Sequence, residues 1–254
     1  MVRVDFVNPG ITHLAFQRDL YVEIPGITAH GITHGKLNQA YLYATPSFGY
    51  YNDPAHGAGL LALTLEHNFG VQVDHYAVVN MQTFTRIVDA LGGIDINLPY
   101  SVDGRARFSS DLSKYFPTGN QHLDGYRTML LARMRPEGDL QRSYTQNLIL
   151  QALAAKLLDP ALLPALPDLI SASRGSVQTD LGEQEIGQLL CLASLLDSQK
   201  IVAVNFPEEI FTGARLDDPV LGRTFVWQVD FNLLRAYVEY FKNGAWPETL
   251  LAAP

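Results

Sequence analysis

The chain has 254 residues, 47% of them hydrophobic and 17% charged, which suits a folded protein with a sizeable core and excludes a disordered segment. Its formal net charge of -8 excludes a nucleic-acid binder that works through general electrostatics. No run approaches the roughly 18 apolar residues of a membrane span, and the first twenty residues carry Arg3, Asp5 and Arg18 without a signal-peptide core.

"MVRVDF" alternates like a core strand, as does "THLAFQRDLYVEI", which stops at "PGITAHG". A chain that opens inside a sheet leads to the expectation of an upstream segment. "GAGLLALTLEHNFG" has helical spacing and ends on Gly70. "VDHYAVVN" reads as a buried strand, "MQTFTRIVDALGG" as an amphipathic helix closed by Gly92 and Gly93, and "IDINLP" as another strand. Strand, helix and strand in that order predict a crossover unit on a mixed or parallel sheet. Residues 100–122 are polar and turn-rich, as a long functional loop would be.

"LDGYRTMLLARM" predicts a helix ending near Arg135, because Pro136 disfavours helical geometry in the residue before it. "DLQRSYTQNLILQALAAKLL" predicts a long helix with Asp139 as its N-cap. Further helices are expected at 163–173 and 182–197. Strands at "IVAVNF" and "TFVWQV" and a helix at "DFNLLRAYVEYF" close the chain. Cys191 lies in an apolar helical run and reads as a buried packing residue; one cysteine cannot form an internal disulfide. No internal repeat or linker interrupts the sequence, so one domain over 1–254 is expected.

"LLARMRPEGDLQRSYTQN" is the chemically unusual stretch. In an acidic chain it places Arg133, Arg135 and Arg142 within eighteen residues, with Arg127 just upstream. Arg133 and Arg135 straddle a helix end, while Arg142 and Gln146 are four apart and share a face of the next helix. A helix N-terminus already presents free N–H groups and partial positive charge. With guanidinium groups added, the place suits a phosphate or diphosphate, although the glycine-rich phosphate loops GxxxxGK[ST] and GxGxxG are missing. Arg18 and Asp19 stand near a strand end, where a structural ion pair is the ordinary expectation. His30 and His34 are four apart, but Gly31 and Gly35 speak against a helix. With no HExxH or cysteine partner, zinc is not expected there.

Read together, "RDLYVEIPG", "GKLNQAYLYA", "DHYAVVNMQTFTRIVDALGGIDINLP", "GNQHLDGYRTMLLARMR" and "DLQRSYTQN" resemble the LytR-CpsA-Psr family over roughly residues 1–158. The resemblance implies an α/β fold: a single-domain α/β/α sandwich around a mixed β-sheet, with an apolar pocket for a polyprenyl tail. The activity it implies is Mg²⁺-assisted phosphotransfer of a glycopolymer from a polyprenyl-pyrophosphate carrier to peptidoglycan or another wall acceptor. That activity is extracytoplasmic, and the protein would be held to the membrane by an amino-terminal anchor that this sequence does not contain. By the matching motifs, Arg133 and Arg135 clamp the pyrophosphate, Arg142 and Gln146 are further phosphate contacts, Arg18 and Asp19 are the R-D pair whose aspartate helps hold the metal, and Lys36 and Asn38 lie near the head group.

The sequence departs from that pattern at several places. The family's aspartate just before the first strand has no counterpart here. Thr145 stands for a frequent arginine, Asn147 for a glutamine, Asn80 for an aspartate and Gln17 for a proline. Truncation is the expected reason for the missing aspartate. Competing readings are a lipid-pyrophosphate hydrolase, a non-catalytic polyprenyl-phosphate binding module, and a regulatory protein. The acidic charge and the lack of a DNA-reading helix weigh against the last of these.

Overall fold

The structure, a computed structural model, describes residues 1–105, 111–135, 139–159, 161–162, 177–196 and 198–247. In chain order the strands are β1 (Val2–Asp5), β2 (Gly10–Leu14), β3 (Tyr21–Glu23), β4 (His34–Lys36), β5 (Ala77–Val79), β6 (Ile94–Leu98) and β7 (Val102–Asp103). They continue with β8 (Tyr115–Phe116), β9 (Gly119–Leu123), β10 (Val177–Thr179), β11 (Ile201–Val204), β12 (Thr212–Asp218) and β13 (Gly222–Gln228). The helices are α1 (Leu37–Tyr43), α2 (Gly57–Phe69), α3 (Met81–Ala90), α4 (Gly125–Arg133), α5 (Asp139–Leu157), α6 (Glu183–Ala193) and α7 (Phe231–Lys242). The class is mixed α/β, as the alternating periodicities predict. Two compact units divide the chain: Met1–Arg3, Leu14–Tyr76 and Val204–Pro254 form the first, Val4–His13 and Ala77–Ala203 the second.

In the first unit β3 and β4 pair antiparallel, β12 and β13 form an antiparallel hairpin, and a parallel bridge between Leu20 and Trp227 joins the two. The helices α1, α2 and α7 contribute Ala40, Tyr43, Leu60, Phe69, Leu234 and Tyr237 to a core that also takes Leu20, Val22 and Ile24 from the β3 segment. The helix α2 stops at Gly70 as expected; its φ of 66° is the left-handed conformation that lets its N–H close on the Glu66 carbonyl.

The run read as one strand from Thr12 to Ile24 is broken. The Leu20 N–H bonds to the Gln17 carbonyl at 3.0 Å, so Arg18 and Asp19 occupy a turn between β2 and β3. Alternation in sequence persists through a turn when both sides feed one core, which is why the break was not legible. The hairpin strand β12 was also missed, because Gly213, Asp217 and Asp218 dilute its apolar pattern.

In the second unit β6 pairs antiparallel with β9, and α5 packs against β6 and α4. Val88, Ile94, Ile96, Leu123, Leu131 and Ile149 form a core of their own. The side chain of Asn80 caps α3 and that of Asp124 caps α4, each accepting from the backbone three residues on. Asp89 at the end of α3 accepts from the Gly125 N–H at 2.7 Å, and a Cβ at Gly125 would lie 2.1 Å from the Thr85 carbonyl oxygen. The "DALGG" and "LDG" words therefore describe one close helix-to-helix contact.

Five expectations are corrected here. The crossover does not form between β5 and β6: β5 pairs with β10 and β6 with β9, both antiparallel. Among the described residues β5 has one neighbour, and its Ala77 and Val79 are exposed rather than buried. Residues 119–122, read as loop, belong to β9, whose outward side chains are polar because they face solvent. Cys191 is exposed, since α6 turns Leu192 inward instead. The opening strand is likewise no core strand, with Val2 60% exposed. The expected helix at 163–173 lies outside the described residues.

Candidate functional site

The site residues fall into two groups, one in each unit. In the first unit the backbone of the 17–20 turn is fastened on two sides. The Asn38 N–H reaches the Arg18 carbonyl at 3.0 Å, Leu37 reaches Leu20 at 2.8 Å, and Trp227 of β13 reaches the Asp19 carbonyl at 2.9 Å. Asp19 is buried, and its Oδ1 faces Arg18 Nε at 3.4 Å and Lys36 Nζ at 3.5 Å. Lys36 is largely covered while Arg18 is about half exposed. Asn38 stands exposed on the first turn of α1. The structure thus brings Arg18, Asp19, Lys36 and Asn38 into one neighbourhood.

Behind them lies a network that sequence reading missed. Gln39 accepts from the Lys36 N–H at 2.5 Å, donates to the Tyr43 hydroxyl at 2.7 Å, and donates to Asp218 Oδ1 at 3.3 Å. The same Asp218 oxygen accepts from Val220 and Leu221 in the β12–β13 turn. Burial and then the Asp218 charge push the Tyr43 phenol up to about 12, and the same two causes raise Tyr21. A helix-start signal was available, since Gln39 sits three residues after the N-cap. Nothing in the sequence pointed to Asp218.

In the second unit α4 ends at Arg133 and Met134 is extended (φ -70°, ψ 146°), so the helix ends two residues earlier than predicted. Arg133 and Arg135 are both exposed, and Arg133 Nη1 lies 3.8 Å from Met129 Sδ. A cation in the last helical turn also suits the negative end of the helix dipole. Gln146 of α5 donates Nε2 to the Ala132 carbonyl at 2.9 Å, which fixes the segment carrying the two arginines. Arg142, one turn earlier on α5, is buried to 9% exposure.

Thr145 donates to the Gln141 carbonyl at 3.0 Å and meets the Tyr100 hydroxyl at 3.2 Å, so it fills its place as a buried neutral group. Arg127, by contrast, holds structure: it donates to the Leu112 and Tyr115 carbonyls and lies over the Phe116 ring at 4.1 Å. Residues 136–138 and the Asp139 side chain, with its expected cap, lie outside the described residues.

Among the described residues, no group of three or more His, Cys, Asp or Glu side chains could hold a metal. Asp19 nevertheless fits one role. Mg²⁺ is commonly held by one or two carboxylates together with phosphate oxygens and water, and Asp19 offers one carboxylate already oriented by two cations.

The α/β chain thus gathers cations around one buried carboxylate and carries two exposed arginines at and beyond the end of α4. The LytR_cpsA_psr family matches residues 1–233, and the chain belongs to that family. It is 29% identical to regulatory protein MsrR of Staphylococcus aureus (strain COL) over 192 residues, 74% of this chain and 52% of that protein. It is 30% identical over 184 residues to the polyisoprenyl-teichoic acid–peptidoglycan teichoic acid transferase TagU of Bacillus mycoides (strain KBAB4), covering 70% of this chain and 52% of TagU. The chain spans about half the length of these curated relatives.

Among solved structures, B. subtilis TagV is similar at a TM-score of 0.71 and 24% identity, covering 97% of this chain and 88% of TagV. TagT bound to LIIa-WTA is similar at 0.66 and 17% identity, covering 96% of this chain and 84% of TagT. At such identities the likeness establishes the fold. Among the described residues, no helix is long and apolar enough to cross a membrane.

Proposed function

We propose that the chain is a phosphotransferase that moves a glycopolymer from a polyprenyl-pyrophosphate carrier to peptidoglycan or another bacterial wall acceptor, outside the cytoplasm and close to the membrane. Family membership and the transferase name of TagU support the class of activity. The observation that carries the reading is the exposed Arg133–Arg135 pair, held beyond α4 by the Gln146–Ala132 bond.

In the proposed reaction an acceptor hydroxyl attacks the phosphorus that bears the polymer. The new O–P bond forms as the bond to polyprenyl phosphate breaks, and the hydroxyl's proton passes to the departing polyprenyl phosphate. Catalysis of such a step is mostly positioning and charge neutralisation. Arg133 and Arg135 take the oxygens of the departing polyprenyl phosphate, and Arg142 supports them from α5. Gln146 acts through the backbone it fastens. Lys36 and Asn38 contact the head group, while Arg18 and Lys36 fix the direction of the Asp19 carboxylate. Mg²⁺, held by Asp19 and phosphate oxygens, would supply further neutralisation of the pyrophosphate charge. An apolar pocket for the polyprenyl tail belongs to the same proposal, at about 0.8 kcal/mol per buried CH₂.

The test is transfer of a labelled lipid-pyrophosphate-linked oligosaccharide to peptidoglycan by the chain and by its Arg133→Ala and Arg135→Ala variants. A labelled acceptor adduct that both variants lose supports the proposal. Release of sugar phosphate without an adduct replaces it with hydrolysis. One observation favours a second reading: the Asp19 carboxylate is already paired with two cations, as a metal-free binding module would have it. Tight lipid binding without turnover and without any effect of Mg²⁺ would select that module.

A further inference from the structure

The outward face of the β6–β9 ladder carries four polar side chains in a two-by-two array. In β6 the residues Ile94, Ile96 and Leu98 point into the core, which leaves Asp95 and Asn97 outside. Their cross-strand partners are His122 and Asn120, both exposed. Directly opposed side chains of this kind stand about 5 Å apart, and successive ones on a strand about 6.7 Å apart.

Each pair is locked by a hydrogen bond. His122 Nδ1 lies 2.8 Å from Asp95 Oδ1, and Asn97 Nδ2 donates to Asn120 Oδ1 at 2.5 Å. An ionised carboxylate only accepts, so His122 carries its proton on Nδ1. Gly93, at φ 86°, leaves the room that His122 takes: a Cβ there would stand 2.7 Å from Nε2. Beyond these bonds the exposed array still has Asp95 Oδ2 and Asn97 Oδ1 as acceptors and Asn120 Nδ2 as a donor.

These groups line a groove of about 480 Å³ together with Ile96 and Gln121, and Gln121 is fixed by its bond to the Pro117 carbonyl. That volume is within the roughly 300–1,000 Å³ of small-molecule sites.

The chemistry of the lining selects the ligand. None of the described lining residues is a cation and Asp95 adds a negative charge, which disfavours a phosphate polymer there. Ile96 is the one apolar residue among the described lining and its side chain turns into the core, which leaves little for a lipid tail or for the aromatic anchors of a protein interface. Vicinal hydroxyls, each both donor and acceptor, match fixed donors and acceptors a few ångströms apart.

We infer that the β6–β9 groove, through Asp95, Asn97, Asn120 and His122, binds an uncharged saccharide segment. Its use in handling a glycan rests on the transferase reading; its binding chemistry does not.

The experiment is a backbone-amide NMR titration of the chain with chitotetraose, an uncharged oligosaccharide, and in a second arm with a glycerol phosphate oligomer. Chitotetraose is expected to move the amides of residues 94–98 and 119–123. Asn97→Ala combined with Asn120→Ala should weaken that binding at least tenfold, and the milder Asn97→Ser alone should also weaken it. Absence of shifts at saturating chitotetraose, unchanged binding in the variants, or equal shifts with the phosphate oligomer would each overturn the inference. A polyprenyl-pyrophosphate analogue titrated into the same samples separates the two proposals. Sugar binding without lipid binding removes the transferase reading and keeps the groove, and the opposite outcome removes the groove alone.

Discussion

Gln146 on α5 donates a hydrogen bond to the carbonyl of Ala132, one residue before Arg133, across 2.9 Å. The carbonyls of a last helical turn have no partner within the helix, and this side chain supplies one from a neighbouring helix. The bond therefore sets where the arginine segment leaves α4. Gln146→Ala should cost about 0.5–1.5 kcal/mol of stability, the usual net worth of such a bond. It should also weaken pyrophosphate-lipid affinity by less than removal of either arginine does. Chemical denaturation and lipid titration read the two effects separately. A Gln146→Ala loss as large as that of Arg133→Ala would make Gln146 a direct phosphate contact.

Arg133→Ala and Arg135→Ala should each lower affinity for a polyprenyl-pyrophosphate analogue by about 1.5–3 kcal/mol, the value of a charge-assisted contact. Both side chains are exposed, so melting temperatures should stay close to that of the parent chain. Unchanged affinity in both variants would return the pair to an ordinary solvated surface.

The motif words carried over to this fold unevenly. "RDLYVEIPG" and "GKLNQAYLYA" describe residues that the first unit gathers around Asp19, and "DALGG" with "LDG" describes the contact of Asp89 with Gly125. Such words are legible because close backbone approach and caps restrict the residue type. Asp218 and β9 were not legible for the opposite reason. A carboxylate brought in from a distant hairpin has no local pattern, and a strand with a solvated face reads as loop when its outward residues are Asn120 and His122. Asp89 and Arg127 show the other limit: a charged residue inside a recognised motif can serve only to hold elements together.

Mg²⁺ should bind the chain weakly by itself, because Asp19 replaces little of the ion's hydration and two cations already face it. Adding a polyprenyl-pyrophosphate analogue should raise the apparent Mg²⁺ affinity, and Asp19→Ala should remove that increase. Isothermal titration of Mg²⁺ with and without the analogue measures both effects. Tight Mg²⁺ binding by the ligand-free chain would put the metal site elsewhere.

The Tyr43 phenol, pushed up to about 12 by burial and by the Asp218 charge, gives an alkaline signature. The folded chain resists ionising Tyr43 while the unfolded chain ionises it near 10. Its contribution to stability is therefore present below pH 10 and is lost as the pH rises from 10 towards 12. Asp218→Asn removes one cause of the shift, so the slowest-ionising tyrosine should titrate at lower pH in that variant. Absorbance at about 295 nm follows the phenolate. An unchanged titration curve in a folded Asp218→Asn variant would show that burial alone holds Tyr43 neutral.

His13 gives the acid-side counterpart in the second unit. Burial pushes it down to about 4, and the Asn147 side chain beside it offsets part of the fall. In the unfolded chain a histidine titrates near 6.5, so between pH 6.5 and 4 the unfolded state binds more protons than the folded one. Stability should thus decline as the pH is lowered through that window and stop declining on this account below pH 4. Since His13 is only partly buried, solvent screening reduces the loss to about 1–2 kcal/mol. Replacing it by a group that does not titrate isolates the effect from the carboxylates. Urea denaturation of the parent chain and of His13→Gln from pH 7 to pH 4 should give a stability difference that shifts in the variant's favour by that amount as the pH falls. A difference constant across the whole range would mean that His13 is as free to protonate in the folded chain as in the unfolded one.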